Sequence, residues 1–258
     1  GLKYFIVKQR EPADSMYLEK IAGTENVVAY RNTASLPVGF MTKSSMEKDI
    51  TYAANPFIKQ NNVFLNATGE WKPLFNTIDI IHVGHQNLNV RWRSLGNYSY
   101  APIDESSSGT LKYNYEMPRS GLLYAYIKGD DLGDFTVRCG EDEETYNVSS
   151  LPYIFCAGYY EEGEIVSFLG DVDAGESGNL EIYVAMLDEE VFARGYSSLA
   201  DEGLEVTDYS STSIEGNITV QEDGYFFTSI PYEEGWTLYV DGEETEIMPY
   251  QDAFVAGG

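Results

Sequence analysis

The pattern of apolar and polar residues in the middle of the chain predicts a series of short β-strands. Between residues 76 and 188, apolar positions alternate with polar ones or form short runs rich in aromatic and β-branched side chains, separated by turn-forming clusters. The predicted strands are 78–83, 88–92, 110–116, 122–128, 135–139, 145–148, 153–157, 165–169 and 180–186. Many short strands at this spacing are typical of a β-sandwich, and we expect a jelly-roll-like one over residues 76–188.

The residues before the predicted sandwich have a different pattern of apolar and polar positions. Residues 1–75 predict an α/β segment packed on this first β domain, with strands at 2–8 and 26–31 and a helix at 12–21. A second helix is expected to begin at Pro56, because Asn55 is a good N-cap and Pro fits the first helical position, and to end at Gly69. The fold class expected for the whole chain is mainly β with a smaller α/β N-terminal segment.

The pattern changes again after the sandwich. Residues 189–203 predict a bridging helix with Asp188 as its N-cap and Gly203 as its stop. Residues 204–258 predict a small C-terminal β domain with strands at 204–209, 213–220, 225–230, 237–240 and 246–249. Asp241-Gly242 is the expected turn of a hairpin in this domain.

Charge is unevenly distributed. The 258 residues carry a formal net charge of −26. Residues 1–100 hold 11 Lys/Arg against 8 Asp/Glu, a net charge of +3, whereas the remainder holds 5 against 34, a net charge of −29. Such a field repels nucleic acid, so no nucleic-acid partner is expected. A solubilising acidic surface and attraction of a cationic polymer to the acidic part both fit this distribution.

Motifs of known catalytic chemistry are scarce. The chain has no nucleophile elbow, phosphate-binding loop, dinucleotide-binding fingerprint or HExxH motif. Ser45 and Lys48 fit Ser-x-x-Lys without its companion motifs, and His82 and His85 on a strand would point to opposite faces. The stretch 171–176 begins like a calcium loop but departs from it at later positions. We therefore predict no catalytic residue, no metal site and no cofactor.

The two cysteines could be joined by a disulfide or could both be free thiols. Cys139 and Cys156 fall in predicted neighbouring strands, where a cross-strand disulfide is geometrically possible. Two buried free thiols are the alternative.

Several segments resemble one family of bacterial polytopic membrane proteins. Residues 229–243, SIPYEEGWTLYVDGE, are similar to the "S-x-P-Y-x-x-G-W-x-x-x-V-D-G" signature of the extracytoplasmic region of the YfhO family. Residues 1–7, 28–40, 55–61, 205–207 and 214–218 resemble further segments of that family in the same order. Arg31 stands where many relatives carry an acidic residue.

The resemblance implies a function for the chain as one part of a membrane protein. The family is similar to integral-membrane glycosyltransferases that use polyprenyl-phosphate sugars, and it is linked to glycosylation of teichoic-acid-type polymers. The catalytic carboxylates would lie in membrane loops outside this chain, and a further hairpin and a membrane helix would follow residue 258. This extracytoplasmic domain would bind the acceptor glycan or brace its own membrane-embedded region. The alternative is a free-standing secreted carbohydrate-binding or adhesive protein.

A glycan site could lie at the corner that carries the signature. Trp236, Tyr232 and Tyr225 could form an aromatic platform for sugar rings, with Asp241 accepting hydrogen bonds from hydroxyl groups. Alternatively, Trp236 packs over the corner of the hairpin and closes the small core.

Overall fold

A computed structural model describes residues 2–8, 17–47, 54–129, 132–148 and 152–257. The chain divides into two compact units. Residues 53–58 and 75–187 form one, which we call the sandwich unit. Residues 1–52, 59–74 and 188–258 form the other, which we call the terminal unit. No helix among the described residues combines the length and the apolar character needed to cross a membrane.

Strands outnumber helices among the described residues. The first elements are β1 (Tyr4–Val7), β2 (Leu18–Gly23), β3 (Val28–Asn32), β4 (Gly39–Thr42), a short 3-10 helix (Ser44–Glu47) and α1 (Pro56–Thr68). Next come β5 (Phe75–Thr77), β6 (Ile80–Gln86), β7 (Leu88–Ser94), β8 (Asn97–Pro102), β9 (Gly109–Glu116), β10 (Gly121–Gly129), β11 (Leu132–Cys139), β12 (Asp142–Asn147), β13 (Ile154–Tyr160), β14 (Ile165–Val172) and β15 (Gly178–Leu187). The last are α2 (Glu189–Asp201), β16 (Glu205–Tyr209), β17 (Ile214–Asn217), β18 (Tyr225–Pro231), β19 (Leu238–Val240), β20 (Glu243–Thr245) and β21 (Phe254–Gly257).

The sandwich unit is a jelly roll. One sheet has the order β13-β10-β15-β8-β7, with β5 also pairing β15, and the other has the order β12-β11-β14-β9-β6. The eight strands β8 to β15 therefore have the order of two Greek keys, in which β8, β10, β13 and β15 form one sheet and β9, β11, β12 and β14 the other, with β6 and β7 added at the edges. All of these pairs are antiparallel. The expected β-sandwich and the mainly β fold class are confirmed.

The core of the sandwich follows from the alternation in its strands. In β9, residues 109, 111, 113 and 115 are buried, and the residues between them face outward. The inward side chains of both sheets form one apolar cluster rich in aromatic rings. Phe168 lies at its centre with no exposed surface, and its ring meets that of Tyr115 edge-on at 5.5 Å. Such burial of large aromatic side chains is the main stabilising term of the unit.

One polar atom in this core has an unusual environment. Tyr113 is fully buried, and its hydroxyl group has no hydrogen-bond partner among the described residues. Burial, with Tyr98 and Tyr100 as neighbours, raises its pKa far above the usual value, so the group stays protonated. A buried hydroxyl without a partner costs free energy.

We therefore predict that Tyr113→Phe leaves the free energy of unfolding unchanged or raises it by up to about 1 kcal/mol. Urea denaturation of the two proteins tests this. A loss of more than about 1 kcal/mol would mean that the hydroxyl group has a partner in solution, such as a buried water.

The terminal unit combines segments from both ends of the chain. Three strands in the order β1-β3-β2 form one sheet, and three in the order β21-β18-β4 form another. The pairing of β4 with β18 joins Gly39 to Thr228 and Thr42 to Tyr225. This pairing corrects the expectation that residues 204–258 form a domain of their own, because the core strand β18 takes its partner from the N-terminal part.

Two of the three predicted helices begin where expected, as their caps show. The Asn55 side-chain oxygen accepts a hydrogen bond from the Phe57 N–H at 2.9 Å, and Gly69 ends α1 with a φ of +71°. The Asp188 carboxylate accepts one from the Val191 N–H at 3.1 Å and so begins α2. The predicted stop at Gly203 falls two residues after the last helical residue.

Two other predicted elements are wrong. Residues 18–21 of the predicted helix 12–21 form strand β2, because they pair with β3, and residues 12–16 lie outside the described part of the chain. The predicted strand 246–249 is also wrong. Asp241 and Gly242, with φ of 51° and 84°, form the expected two-residue turn, and the strand that returns from it is β20.

Candidate functional site

A cleft opens in the sandwich unit where two strands diverge along one edge of β15. β8 pairs with residues 178–181 of β15, and β5 pairs with residues 185–187. Between them, the Ile182 N–H donates to the carbonyl of Gly96 at 2.8 Å, and the Ile78 N–H donates to the carbonyl of Val184 at 3.0 Å. The space left between the two strands is a cleft of about 290 Å³.

One wall of the cleft is the β7–β8 hairpin. Trp92 pairs across the ladder with Tyr98, so both rings lie on the same face of the sheet. Tyr98 is buried in the core, whereas Trp92 is 67% exposed, and Leu95 in the turn is 70% exposed. Trp92 therefore presents an indole ring to solvent at the rim of the cleft.

The turn that carries this wall is held on β15. Gly96 has a φ of +74°, and a Cβ at this position would lie 2.3 Å from a ring carbon of Tyr183. The Asn97 side-chain amide donates to the Tyr183 hydroxyl at 2.8 Å. Glycine is therefore required for the turn to lie directly on the ring, and these contacts fix the hairpin that positions Trp92.

The opposite wall supplies polar groups. Thr77 and Asp79, on the segment from β5 to β6, are exposed and line the cleft. Asn55 is 7% exposed and lines it as well, and since its oxygen caps α1, its amide nitrogen is the remaining polar group of the side chain. The cleft thus has a carboxylate acceptor, a hydroxyl group and an amide donor facing an exposed indole.

Tyrosine side chains form the inner lining. Tyr98, Tyr115 and Tyr183 line the cleft together with Ile182 and Val184. Burial raises the pKa of all three hydroxyl groups, although the hydrogen bond from Asn97 partly offsets the effect at Tyr183. These hydroxyl groups therefore remain protonated well above neutral pH, and Asp79 is the acidic side chain that lines the cleft.

The arrangement suits the binding of a small ligand. An aromatic ring with a few polar groups at the edge of a shallow cleft is the usual composition of a small-ligand site. Within the described residues, no cluster of three or more His, Cys, Asp or Glu side chains could hold a metal ion.

The structure separates the residues proposed for the signature corner. Tyr225 is 3% exposed, and its hydroxyl group donates to the carbonyl of Met248, so it belongs to the core of the terminal unit and not to a platform. Tyr232 is partly exposed and Trp236 is half-buried. Asp241 lies at the tip of the β19–β20 hairpin.

The remaining candidate residues form no site. His82 and His85 lie on β6 and, three residues apart, point to opposite faces as expected. Cys139 and Cys156 are not joined by a disulfide, because they lie on β11 and β13 of different sheets, which corrects the expected neighbouring strands. Ser45 lies in the 3-10 helix, and Lys48 is outside the described residues. In the stretch 171–176, the Glu176 N–H donates to the carbonyl of Asp173, which makes a turn.

The cleft with Trp92 at its rim, which we call the Trp92 cleft, is not predicted from the sequence. Residue 92 is the last residue of a predicted strand, and β5 and β8, which border the cleft, are not predicted. The available signal is a tryptophan between two arginines, because apolar and charged residues that alternate on an edge strand face opposite sides.

Solved structures with a similar local fold are carbohydrate-binding modules. They include the C-terminal CBM6 of LamC, a marine laminarinase from Zobellia galactanivorans, at 15% identity, 43% of this chain, 98% of that chain and a TM-score of 0.29. A family 35 carbohydrate-binding module from Clostridium thermocellum matches at 9% identity, 43% of this chain, 96% of that chain and a TM-score of 0.30. Scores this low carry no conclusion about what this chain binds.

Comparison of the sequence with protein families gives a clearer result. No curated protein sequence matches the chain. The family model described as "Bacterial membrane protein YfhO" matches residues 1–256, almost the whole chain. The resemblance inferred from the separate motifs is therefore confirmed, and this chain belongs to the YfhO family of bacterial membrane proteins.

Proposed function

We propose that this chain is an extracytoplasmic, non-catalytic part of a membrane protein and that its sandwich unit binds a cell-surface glycan in the Trp92 cleft. The observation that carries the proposal is the exposed indole of Trp92, which faces hydrogen-bonding groups across a cleft in an otherwise well-packed jelly roll. Tryptophan is enriched at interfaces because its ring is apolar and its N–H can donate a hydrogen bond, so its position at the rim of a cleft favours a role in binding.

The chemistry of the cleft fits a sugar ring. A pyranose has one face of C–H groups that can lie against an indole, and hydroxyl groups around its edge that donate and accept hydrogen bonds. Asp79 would accept from hydroxyl groups, Asn55 would donate, and Thr77 can do both. A cleft of about 290 Å³ has room for one or two sugar residues rather than for a long chain.

Membership of the family suggests a role for glycan binding by this chain. In a protein that resembles glycosyltransferases of teichoic-acid-type polymers, a glycan site outside the membrane would place the acceptor near the membrane-embedded part. The catalytic groups would belong to that part, so we expect no sugar transfer by this chain alone. The family match favours this interpretation over a free-standing secreted carbohydrate-binding protein.

Two experiments test the proposal. Calorimetric titration of the purified chain with a panel of neutral oligosaccharides and cell-wall polymers should show saturable binding of at least one glycan. Protease added to intact spheroplasts that carry the full-length protein should cleave this part of it. Absence of binding across the panel would contradict the glycan site, and protection from protease would contradict the extracytoplasmic location.

A further inference from the structure

A second cleft lies on the outer face of the same sheet. It is formed by β7, β8 and the start of β15 and has a volume of about 830 Å³. Its lining is polar and basic: Asn89, Arg91, Arg93, Ser99, Tyr100, Ala101, Ser177, Gly178 and Asn179. No Asp or Glu is among these residues, although the whole chain has 42 of them against 16 Lys and Arg.

The two arginines of this cleft lie on one strand. Arg91 and Arg93 are two residues apart on β7, so both side chains leave the same face, roughly 7 Å apart at their origins. Trp92 between them leaves the opposite face. The arginine cleft and the Trp92 cleft are therefore separate sites that share one strand.

One guanidinium group is already oriented. Arg93 donates from Nε to the Ser99 hydroxyl oxygen at 2.9 Å, which holds its position and leaves its two terminal nitrogens as donors. Arg91 lies opposite Ser99 in the β7–β8 ladder, and Asn179 pairs with the same serine from the other side. Side chains from three neighbouring strands thus meet around Ser99.

The charge of these arginines is not neutralised within the sheet. Among the described residues, no ion pair includes Arg91 or Arg93, although both are exposed. The carboxylate of Glu181, further along β15, pairs with Lys128 at 3.4 Å. Acidic residues more than about 8 Å from the cleft are largely screened at physiological salt and therefore oppose its positive charge only weakly.

We propose that this arginine cleft binds the phosphate group of a phosphate-bearing ligand. A guanidinium group presents a rigid fork of N–H donors that matches the oxygen atoms of phosphate in a bidentate manner. The amide of Asn89 adds a neutral donor at the side. The volume exceeds that of a single ion, so a sugar phosphate or a phosphodiester segment can be accommodated.

The two arginines could instead protect the edge of the sheet, and the test must distinguish this role from phosphate binding. β7 is at the edge of its sheet, and charged side chains on edge strands prevent pairing with other molecules. If that is their function, removing them should cause self-association and leave phosphate binding unaffected. The test must therefore measure both the oligomeric state and binding.

The test uses the double variant Arg91→Gln, Arg93→Gln and the matched control Lys20→Gln, Lys112→Gln. Both variants change the net charge from −26 to −28 by removing two exposed cations. The probes are inorganic phosphate, glycerol 3-phosphate and soluble polyphosphate, titrated at low and high salt and observed by NMR. A lipid source is tested with phosphatidylglycerol vesicles, and phosphatidylcholine vesicles serve as the control.

We expect saturable shifts of the Arg91 and Arg93 Nε signals, binding that weakens with salt, and a loss of affinity of about tenfold or more in the arginine variant only. Binding of vesicles without binding of soluble phosphates would identify a lipid headgroup as the source of the phosphate. Equal weakening in the lysine control, or self-association of the arginine variant with unchanged binding, would overturn the proposal. Absence of any binding to the wild-type chain would overturn it too. Trp92→Ala should leave phosphate binding intact, so this proposal and the glycan proposal fail independently.

Discussion

Replacement of Phe168 by alanine is expected to lower the free energy of unfolding of the sandwich unit by about 3–5 kcal/mol. The side chain has no exposed surface and lies at the centre of the only large cluster described in this unit, against the ring of Tyr115. Its removal loses the free energy gained by transferring the ring from water into the core. It also leaves a cavity that the surrounding long strands cannot easily close.

Hydrogen exchange of amides in β9 and β14 measures this change in the sandwich unit alone. Ile165→Ala is the matched control, since Ile165 lies on the same strand but is exposed, and we expect a loss below about 1 kcal/mol. Equal losses in the two variants would contradict the assignment of Phe168 to the centre of the core.

Replacement of Trp92 by alanine is expected to reduce the affinity for the bound glycan at least tenfold without a change in fold. The ring is mostly exposed, so its loss removes little buried area from the core. Stacking of a planar ligand on an aromatic ring contributes about 1–3 kcal/mol in comparable recognition of nucleic-acid bases, and about 1.4 kcal/mol is a factor of ten.

Calorimetry with the glycan identified in the panel measures this loss. Trp71→Ala is the matched control, because Trp71 is 80% exposed in the terminal unit. Trp92→Phe should retain part of the affinity, since a smaller ring can still stack. Unchanged affinity in Trp92→Ala would mean that the cleft is not the glycan site.

The sandwich could be predicted from the sequence because its strands alternate clearly. β9 carries apolar residues at every second position, which is the direct signature of a strand with one face in a core, and β10 contains a continuous apolar run, which is typical of a strand buried on both faces. β8, with the sequence NYSYAP, escapes prediction because its polar residues and final proline resemble a loop. The sequence around β2 predicts a helix because Pro12 suits a first turn, Met16, Tyr17 and Ile21 have helical spacing and Gly23 can end it. Only pairing with β3 makes residues 18–23 a strand.

The candidate site could not be predicted from the sequence in the same way. Its walls come from β5, β7 and β8, and its floor comes from β15, almost a hundred residues later in the chain. The signature corner points to Trp236 because its aromatic residues are adjacent in sequence. Burial decides which of them can meet a ligand, and burial removes Tyr225 from that set.

The three tryptophans of the chain can serve as separate reporters of where a glycan binds. Trp71, Trp92 and Trp236 each give one indole N–H signal in a two-dimensional NMR spectrum, and single Trp→Phe variants assign them. Titration with the bound glycan should shift the Trp92 signal in a saturable manner and leave the other two in place. A shift of Trp236 with Trp92 unchanged would move the site to the signature corner and contradict the proposed Trp92 cleft.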